Sequence, residues 1–532
     1  MRITNGIINN NTKSNIILNK EYSDKYNTMV ATGQKITRPS DDPIIAIRAL
    51  RLNNNISEIN QYHGKNIPDA QAWLDITQTA LEQTAGVLDD VKKYLTQGAS
   101  DDNTAEDRKN ILENLKALKD QIYSSGNADY AGRTVFTGYR TGESLTFTAN
   151  ETKLYTMIQN FTSDDFETMN YISGSYDKDV KDISKYTSAD DNQTNVKNNE
   201  VARLRLAYDN LTDSQLKINE DGSTGALSQN FVIKDKAGNT IYTAATFSVE
   251  KLGTDQKAND DLYTKIGDDE VRLITTTGEL ILGKNVAAQM RIEGSNASLE
   301  YSKEEWNKND PRPEHYFAAQ SYDKDASRLV RYNYSEDETK AVTDPDRFYA
   351  DFKDQKIQYE IAYNQKIEIN VNADEVYKTS IARDVDELLK VTQSTQDAYD
   401  KLKKVEELEK SGSITNPADV KKLAELKDAV RKEYDLYNEK MQNMFSHAIT
   451  IFDGYSNELN NKIAAMGSLD ARLELTRSRV SDQLENFKEL ADENINVELT
   501  ESAIDLKNAE LALEAAQQAA AKVAKASLLN YL

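Results

Sequence analysis

The chain contains no cysteine, which excludes disulfides and thiolate metal sites. No window approaches the roughly 20 apolar residues of a membrane span. The first ten residues, MRITNGIINN, lack the apolar core of a secretory signal. By sequence the protein is cytosolic, or leaves the cell by a route that needs no cleaved signal. Positive charge is also short: 65 Lys and Arg against 88 Asp and Glu give a net charge of −23. No basic patch with interleaved aromatics occurs, so a sequence-independent phosphate binder is excluded. Hydrophobic residues are 38%, charged residues 29% and mean hydropathy −0.70, which favours a surface-rich, elongated protein of more than one domain.

Catalytic signatures are missing as well. The three histidines, His63, His315 and His447, are scattered, and no pair sits at metal-ligand spacing. There is no G-x-S-x-G, P-loop or G-x-G-x-x-G. Acid pairs such as Asp41/Asp42 and Asp164/Asp165 read as caps and solvated turns in so acidic a chain. Asn219-Glu-Asp-Gly-Ser223 lacks the closing glutamate of a calcium loop. No enzyme activity, cofactor or metal is expected.

What is present is helical periodicity at both ends. From Ala471 to Leu532 there is no proline, and Leu499, Ala503, Leu506, Leu513, Ala516, Ala520 and Val523 share one narrow stripe. At the other end Ile8, Asn15, Leu18, Tyr22 and Met29 do the same, although Asn9, Asn10 and Asn11 make a poor helix in isolation. Two ends that each carry an unpaired seam are expected to pair with each other or with other molecules. The candidate assembly residues are Ile8, Leu18, Tyr22, Met29, Leu499, Leu506, Leu513, Val523, Leu528 and Leu529.

Between the ends, Asp42 fits an N-cap with Pro43 at the first helical position, and Ile44, Ile47 and Leu50 follow periodically. Ile67, Ala70, Leu74, Thr77, Leu81, Thr84, Leu88, Val91 and Leu95 form an unbroken heptad seam. That helix would span roughly 45 Å. Thr104 caps another helix through Ile111, Leu115, Leu118 and Ile122. From Arg133 to Phe147 the chain reads as a hairpin, and β signals continue to Tyr377, with hairpins turning at Gly238-Asn239 and at Gly278. Helix returns at about Arg383, along Leu388, Val391, Ala398, Leu402 and Val405, and Asn416-Pro417 restarts it after a break.

The expected fold is α+β: an elongated helical bundle or coiled-coil rod made from both chain ends, with a β-rich insertion in the middle. Residues 1–40 would pair with 493–532 as a terminal domain. Residues 41–147 with 380–492 would form the helical rod, and 148–379 the insertion, of one or two subdomains. Trp306, Tyr316 and Phe317 raise a different possibility, a carbohydrate-binding module on a helical stalk, since aromatic faces stack on sugars; core packing is the blander account.

Several segments resemble the flagellar axial proteins. Thr32-Gly-Gln-Lys-Ile36 followed by Pro39-Ser-Asp-Asp-Pro43 is similar to that group's junction between terminal and rod domains. The prolines fit the hook–filament junction type better than flagellin. Gly132-Arg-Thr-Val-Phe-Thr-Gly-Tyr-Arg140, Tyr359-Glu-Ile-Ala-Tyr-Asn-Gln365, Ile369-Asn-Val-Asn372 and the apolar tail Ser527-Leu-Leu-Asn-Tyr-Leu532 resemble it too. The resemblance implies a structural protein of the bacterial flagellum at the hook–filament junction, outside the cell. It would be exported unfolded through the flagellar type III apparatus and held beforehand by an export chaperone. Its neighbours would be its own copies, the adjacent hook-associated junction protein and flagellin; flagellin itself is the alternative identity.

Overall fold

The computed structural model describes residues 5–100, 103–174, 196–325, 327–332 and 355–529. It is α+β, with helices at both ends of the chain and β structure in its middle. The long helices are α1 (Asn5–Thr32), α2 (Pro43–Gln61), α3 (Ile67–Gly98) and α4 (Ala105–Ser125) in the first part. Two shorter ones, α5 (Gln256–Thr264) and α6 (Lys284–Met290), lie within the β region. After it come α7 (Thr379–Ser411), α8 (Pro417–Ile495) and α9 (Leu499–Leu529). The chain divides into two compact units: residues 1–71, 359–367 and 470–532 form the first, and 72–358 with 368–469 the second.

The caps read from sequence are in place. The Asp42 carboxylate accepts from the Ile44 and Ile45 amides, with Pro43 beginning α2. Thr104 and Asp107 form a reciprocal capping box on α4. Left-handed Gly412 ends α7. All nine positions of the α3 seam are buried. The carboxy-terminal stretch is helical except at one gap, where α8 ends at Ile495 and α9 starts at Leu499. Across the gap the chain runs beside the turn after α1, where Lys35 N donates to Ile495 O (2.7 Å) and Val497 N to Gly33 O (3.0 Å). One expectation, the hairpin from Arg133 to Phe147, fails. Only β1 (Asp129–Tyr130) and β2 (Arg133–Thr134) pair, and bends and turns follow. There the Arg133 guanidinium lies over the Trp73 and Tyr130 rings.

The second unit is built on two sheets. The strands are β3 (Glu151–Thr162), β4 (Glu167–Ser173), β5 (Lys197–Arg205), β6 (Leu216–Ile218), β7 (Thr224–Ala226), β8 (Val232–Lys234), β9 (Thr240–Thr243), β10 (Thr246–Glu250), β11 (Glu270–Ile274), β12 (Glu279–Leu282), β13 (Asn296–Trp306), β14 (Ala318–Asp323) and β15 (Arg328–Tyr332). One sheet has the order β10-β11-β12-β5-β4, the other β15-β14-β3-β13-β8-β9. Both expected turns are found, β8 to β9 through Gly238 and β11 to β12 through Gly278. Gly278 has φ +64°, and a Cβ there would lie 2.0 Å from Tyr208 O, so no other residue fits. Apolar residues of the two sheets, including Met157, Phe161 and Tyr301 from one and Leu204, Leu273 and Leu280 from the other, share one core.

Trp306 sits inside that core. Its ring stacks on Phe147 at 4.9 Å and meets Tyr155 and Tyr208 edge-on, while Nε1 donates to Lys153 O at 2.8 Å. Tyr316 is buried as well, and Phe317 packs on the same core. Of the three aromatics behind the sugar-binding alternative, Trp306 and Tyr316 are buried and Phe317 is half-buried on the same core, in line with the core-packing account. Trp306→Ala is expected to destabilise the second unit by about 3–5 kcal/mol, the usual cost of deleting a buried large aromatic. Chemical denaturation would show this as a lower midpoint. His315 belongs to the same interior: burial pushes its imidazole down to about 3, and Nε2 lies 3.0 Å from Ser144 O.

On its other face the β4-β5-β12 sheet meets α7 through buried charge. The Arg203 guanidinium reaches Glu167 (2.8 Å), Glu279 (2.5 Å) and Glu387 (2.5 Å). Arg205 reaches Glu167 (2.7 Å) and Asp384 (2.8 Å). Tyr263 and Tyr455 donate to Glu279 and Asp384. The sequence signal was the spacing: arginines two apart share a strand face, and Asp384 and Glu387 three apart share a helix face.

Candidate assembly surface

The first unit carries both chain ends. α1 and α9 run antiparallel, since Gln34 bridges Asn496 near one end and Asn19 Nδ2 donates to Ala512 O (3.4 Å) further along. On α1 the half-buried row is Thr12, Ile16, Asn19, Ser23, Tyr26 and Val30, at alternating four- and three-residue steps. On α9 the facing row is Ser502, Leu506, Ala509, Leu513, Ala516 and Ala520. Small residues dominate the α9 row, and the α1 row mixes Ile16, Tyr26 and Val30 with polar Thr12, Asn19 and Ser23, so the seam buries little apolar area. α1 also holds seven asparagines, Asn5, Asn9, Asn10, Asn11, Asn15, Asn19 and Asn27, each a weak helix former. Its helix thus depends on α9.

The residues singled out from sequence divide between seam and surface. Met29, Leu506 and Leu513 are half-buried on the α1–α9 side, whereas Ile8, Leu18, Tyr22 and Leu499 are exposed. Val523, Leu528 and Leu529 lie on the backbone of α9, but their side chains fall outside the described residues. On α1, Ile17, Leu18 and Tyr22 stand off the row that pairs and are exposed, whereas Ile16, Tyr26, Met29 and Val30 are half-buried along it.

α2 repeats the pattern. Its buried row is Ala46, Ala49, Leu52 and Ile59, while Ile44, Ile47 and Leu50 are 76%, 53% and 62% exposed. The periodic residues read from sequence thus lie off the buried row. The smaller alanines permit the closer approach, so they take the inner positions. The outer part of α8 lies against this unit with Leu473, Thr476, Val480, Leu484 and Ala491 buried. Asn494 Nδ2 donates to Ile45 O (3.1 Å), and Gln71 bonds Glu474 and Arg477. The hairpin of β16 (Gln358–Ala362) and β17 (Gln365–Glu368) joins them through Asn66 Nδ2 to Glu360 O (2.8 Å) and Arg479 to Gln365 (2.6 Å).

Before α2, Asp41 closes the turn. Its carboxylate accepts from the Thr37 and Arg38 amides at 3.0 and 2.8 Å, and these bonds hold its pKa below the usual range. Of the eighteen large apolar side chains exposed among the described residues, fourteen belong to the first unit, although it holds the smaller part of the chain. Exposed apolar groups of this size are unusual when gathered on one part of a chain. Among the described residues no group of His, Asp and Glu could hold a metal ion, and no helix is long and apolar enough to cross a membrane.

Residues 3–141, which include α1, α2, α3 and α4, match the family model for the bacterial flagellin N-terminal helical region. Over that stretch the chain is similar to flagellins. It is 26% identical over 118 residues to flagellar hook-associated protein 3 of Escherichia coli K12, covering 22% of this chain and 37% of that protein. The Salmonella typhimurium LT2 protein of the same name is 25% identical over 142 residues, or 26% and 44% of the two chains. A flagellin of Clostridium tyrobutyricum is 25% identical over 122 residues, covering 23% and 32%. The chain thus spans less than half the length of the curated relatives it matches. Among solved structures it is similar to hook-associated protein 3 of Legionella pneumophila (TM-score 0.28, 8% identity, 83% and 97% of the chains). Another is FlgL of Xanthomonas campestris (TM-score 0.24, 11% identity, 82% and 99%).

Proposed function

We propose that this protein is a structural part of the bacterial flagellum, located where the hook meets the filament and assembled through its terminal helices. The observation that carries the reading is the crowding of exposed apolar side chains onto the unit formed by the two chain ends. The partial likeness to hook-associated protein 3 names the setting. In that role Ile8, Leu18, Tyr22 and Leu499 contact neighbouring copies, an adjacent hook-associated junction protein and flagellin. Residues 1–40 with 493–532 are the assembling part, 41–147 with 380–492 the helical support, and 148–379 an insertion not needed for assembly. The weak α1–α9 seam suits a chain that travels unfolded through a type III export channel, with α9 held by an export chaperone until it folds on arrival.

The match to a Clostridium flagellin supports a second reading, the filament subunit itself. One experiment separates the two. A tagged chain imaged on isolated flagella is expected at a single point between hook and filament. Label along the whole filament would establish the second reading and remove the first.

A further inference from the structure

We propose that a second copy of this chain covers the outer face of α2 with the acidic outer face of its own α8, so that copies join head to tail. The inference rests on the assembly role above and specifies one contact within it. α2 shows Ile44, Ile47 and Leu50 outward beside Arg48 and Arg51. Among the described residues neither arginine makes an ion pair. No acid lies between Asp42 and Glu58, and Asp41 and Asp42 are already engaged by backbone amides. This face is apolar and basic on a chain whose net charge is −23.

The last turns of α8 carry the complement. Opposite the buried row of Val480, Leu484 and Ala491 stand Asp482, Glu489, Leu490 and Glu493, all exposed. From residue 482 to 501 seven acids accompany a single base, Lys488. Both helices turn their buried rows into the same unit and are tied by Asn494 and Ile45. The unit therefore offers a basic apolar face and a separate acidic apolar face. Pairing α2 with α2 would set arginine against arginine, and pairing α8 with α8 would set acid against acid. Only the mixed contact is attractive, and a mixed contact repeats from copy to copy.

The absence of cysteine allows a direct test with the full chain. Ile47→Cys and Leu490→Cys are made in separate copies, both at exposed positions, mixed in equal amounts and oxidised. The mixed disulfide dimer is expected to exceed either same-variant dimer by about five-fold or more. Adding Arg48→Glu and Arg51→Glu to the first copy should remove that excess, and adding Glu489→Arg and Glu493→Arg to the second should restore it. Circular dichroism of each variant checks that the helices remain. A statistical mixture, an excess of same-variant dimer, or no recovery on the double reversal overturns the proposal. So does capture of a foreign chain by either cysteine with no mixed dimer. Label along the whole filament would remove the junction reading but leave this contact standing; same-variant dimers would do the reverse.

Discussion

Removing Ala491 to Leu532 is expected to abolish incorporation into flagella while the second unit stays folded. The deletion takes all of α9 and the last residues of α8. It also removes every seam residue that faces α1, so α1 must stand alone. A helix of 28 residues with seven asparagines has little stability in water without a partner. Its amides should lose protection from hydrogen exchange. Helical signal at 222 nm should fall by more than the deleted residues account for, because α1 melts with them. The α3 seam and the shared core of the two sheets lie largely in the other unit, so its thermal transition should persist. A truncated chain that still restores filament attachment, or that keeps α1 protected, would refute the dependence.

The second large effect is expected at Arg203. Replacing it by methionine keeps much of the volume but leaves the carboxylates of Glu167, Glu279 and Glu387 without the cation they share. Breaking a buried pair from one side costs about 3–5 kcal/mol, because the charge left behind is uncompensated. The pH dependence follows from Glu387. Burial opposes its charge, but Arg203 and Arg205 outweigh that and hold its carboxyl down at about 2, below its ordinary 4.5. A depressed carboxyl contributes fully above 4.5 and loses its contribution as pH falls from there towards 2. Asp384 works the other way. Burial outweighs Arg205 and raises its pKa, so acid relieves it. Native protein should therefore lose stability between about pH 4.5 and 2, and Arg203→Met should flatten that slope as well as lower the plateau at pH 7. Denaturant midpoints at pH 7, 4.5 and 3 measure both; an unchanged acid slope would show that Arg203 does not set the Glu387 pKa.

Much of the helical framework was legible because local signals agreed. The α3 seam combines an unbroken heptad with Pro68 near its start, and all nine positions are inside. Asp42, Thr104 and Gly412 mark helix ends through chemistry that needs no tertiary partner. The β turns at Gly238 and Gly278 were legible for the same reason. Tertiary choices were not. In α1 and α2 apolar residues occupy more than one face, and pattern alone does not choose between them. In α2 packing buried Ala46, Ala49, Leu52 and Ile59 and left Ile44, Ile47 and Leu50 outside. The break at Asn496 carries no glycine or proline, since strand-like bonding to Gly33 and Lys35 creates it. The arginine pair on β5 gave its spacing, but only the folded arrangement names Glu387 as partner. Of the residues singled out for assembly, Met29, Leu506 and Leu513 lie on the paired side and Ile8, Leu18, Tyr22 and Leu499 are exposed.

The bridge between Gln34 and Asn496 links positions 462 residues apart (496 − 34). At ~5–20 residues per second, a ribosome needs roughly 20–90 s to traverse that distance. Throughout that interval the nascent amino-terminal segment has no mate. Synthesis itself therefore keeps this end loose until translation is almost over, and a protease or a carrier meets it in that form first.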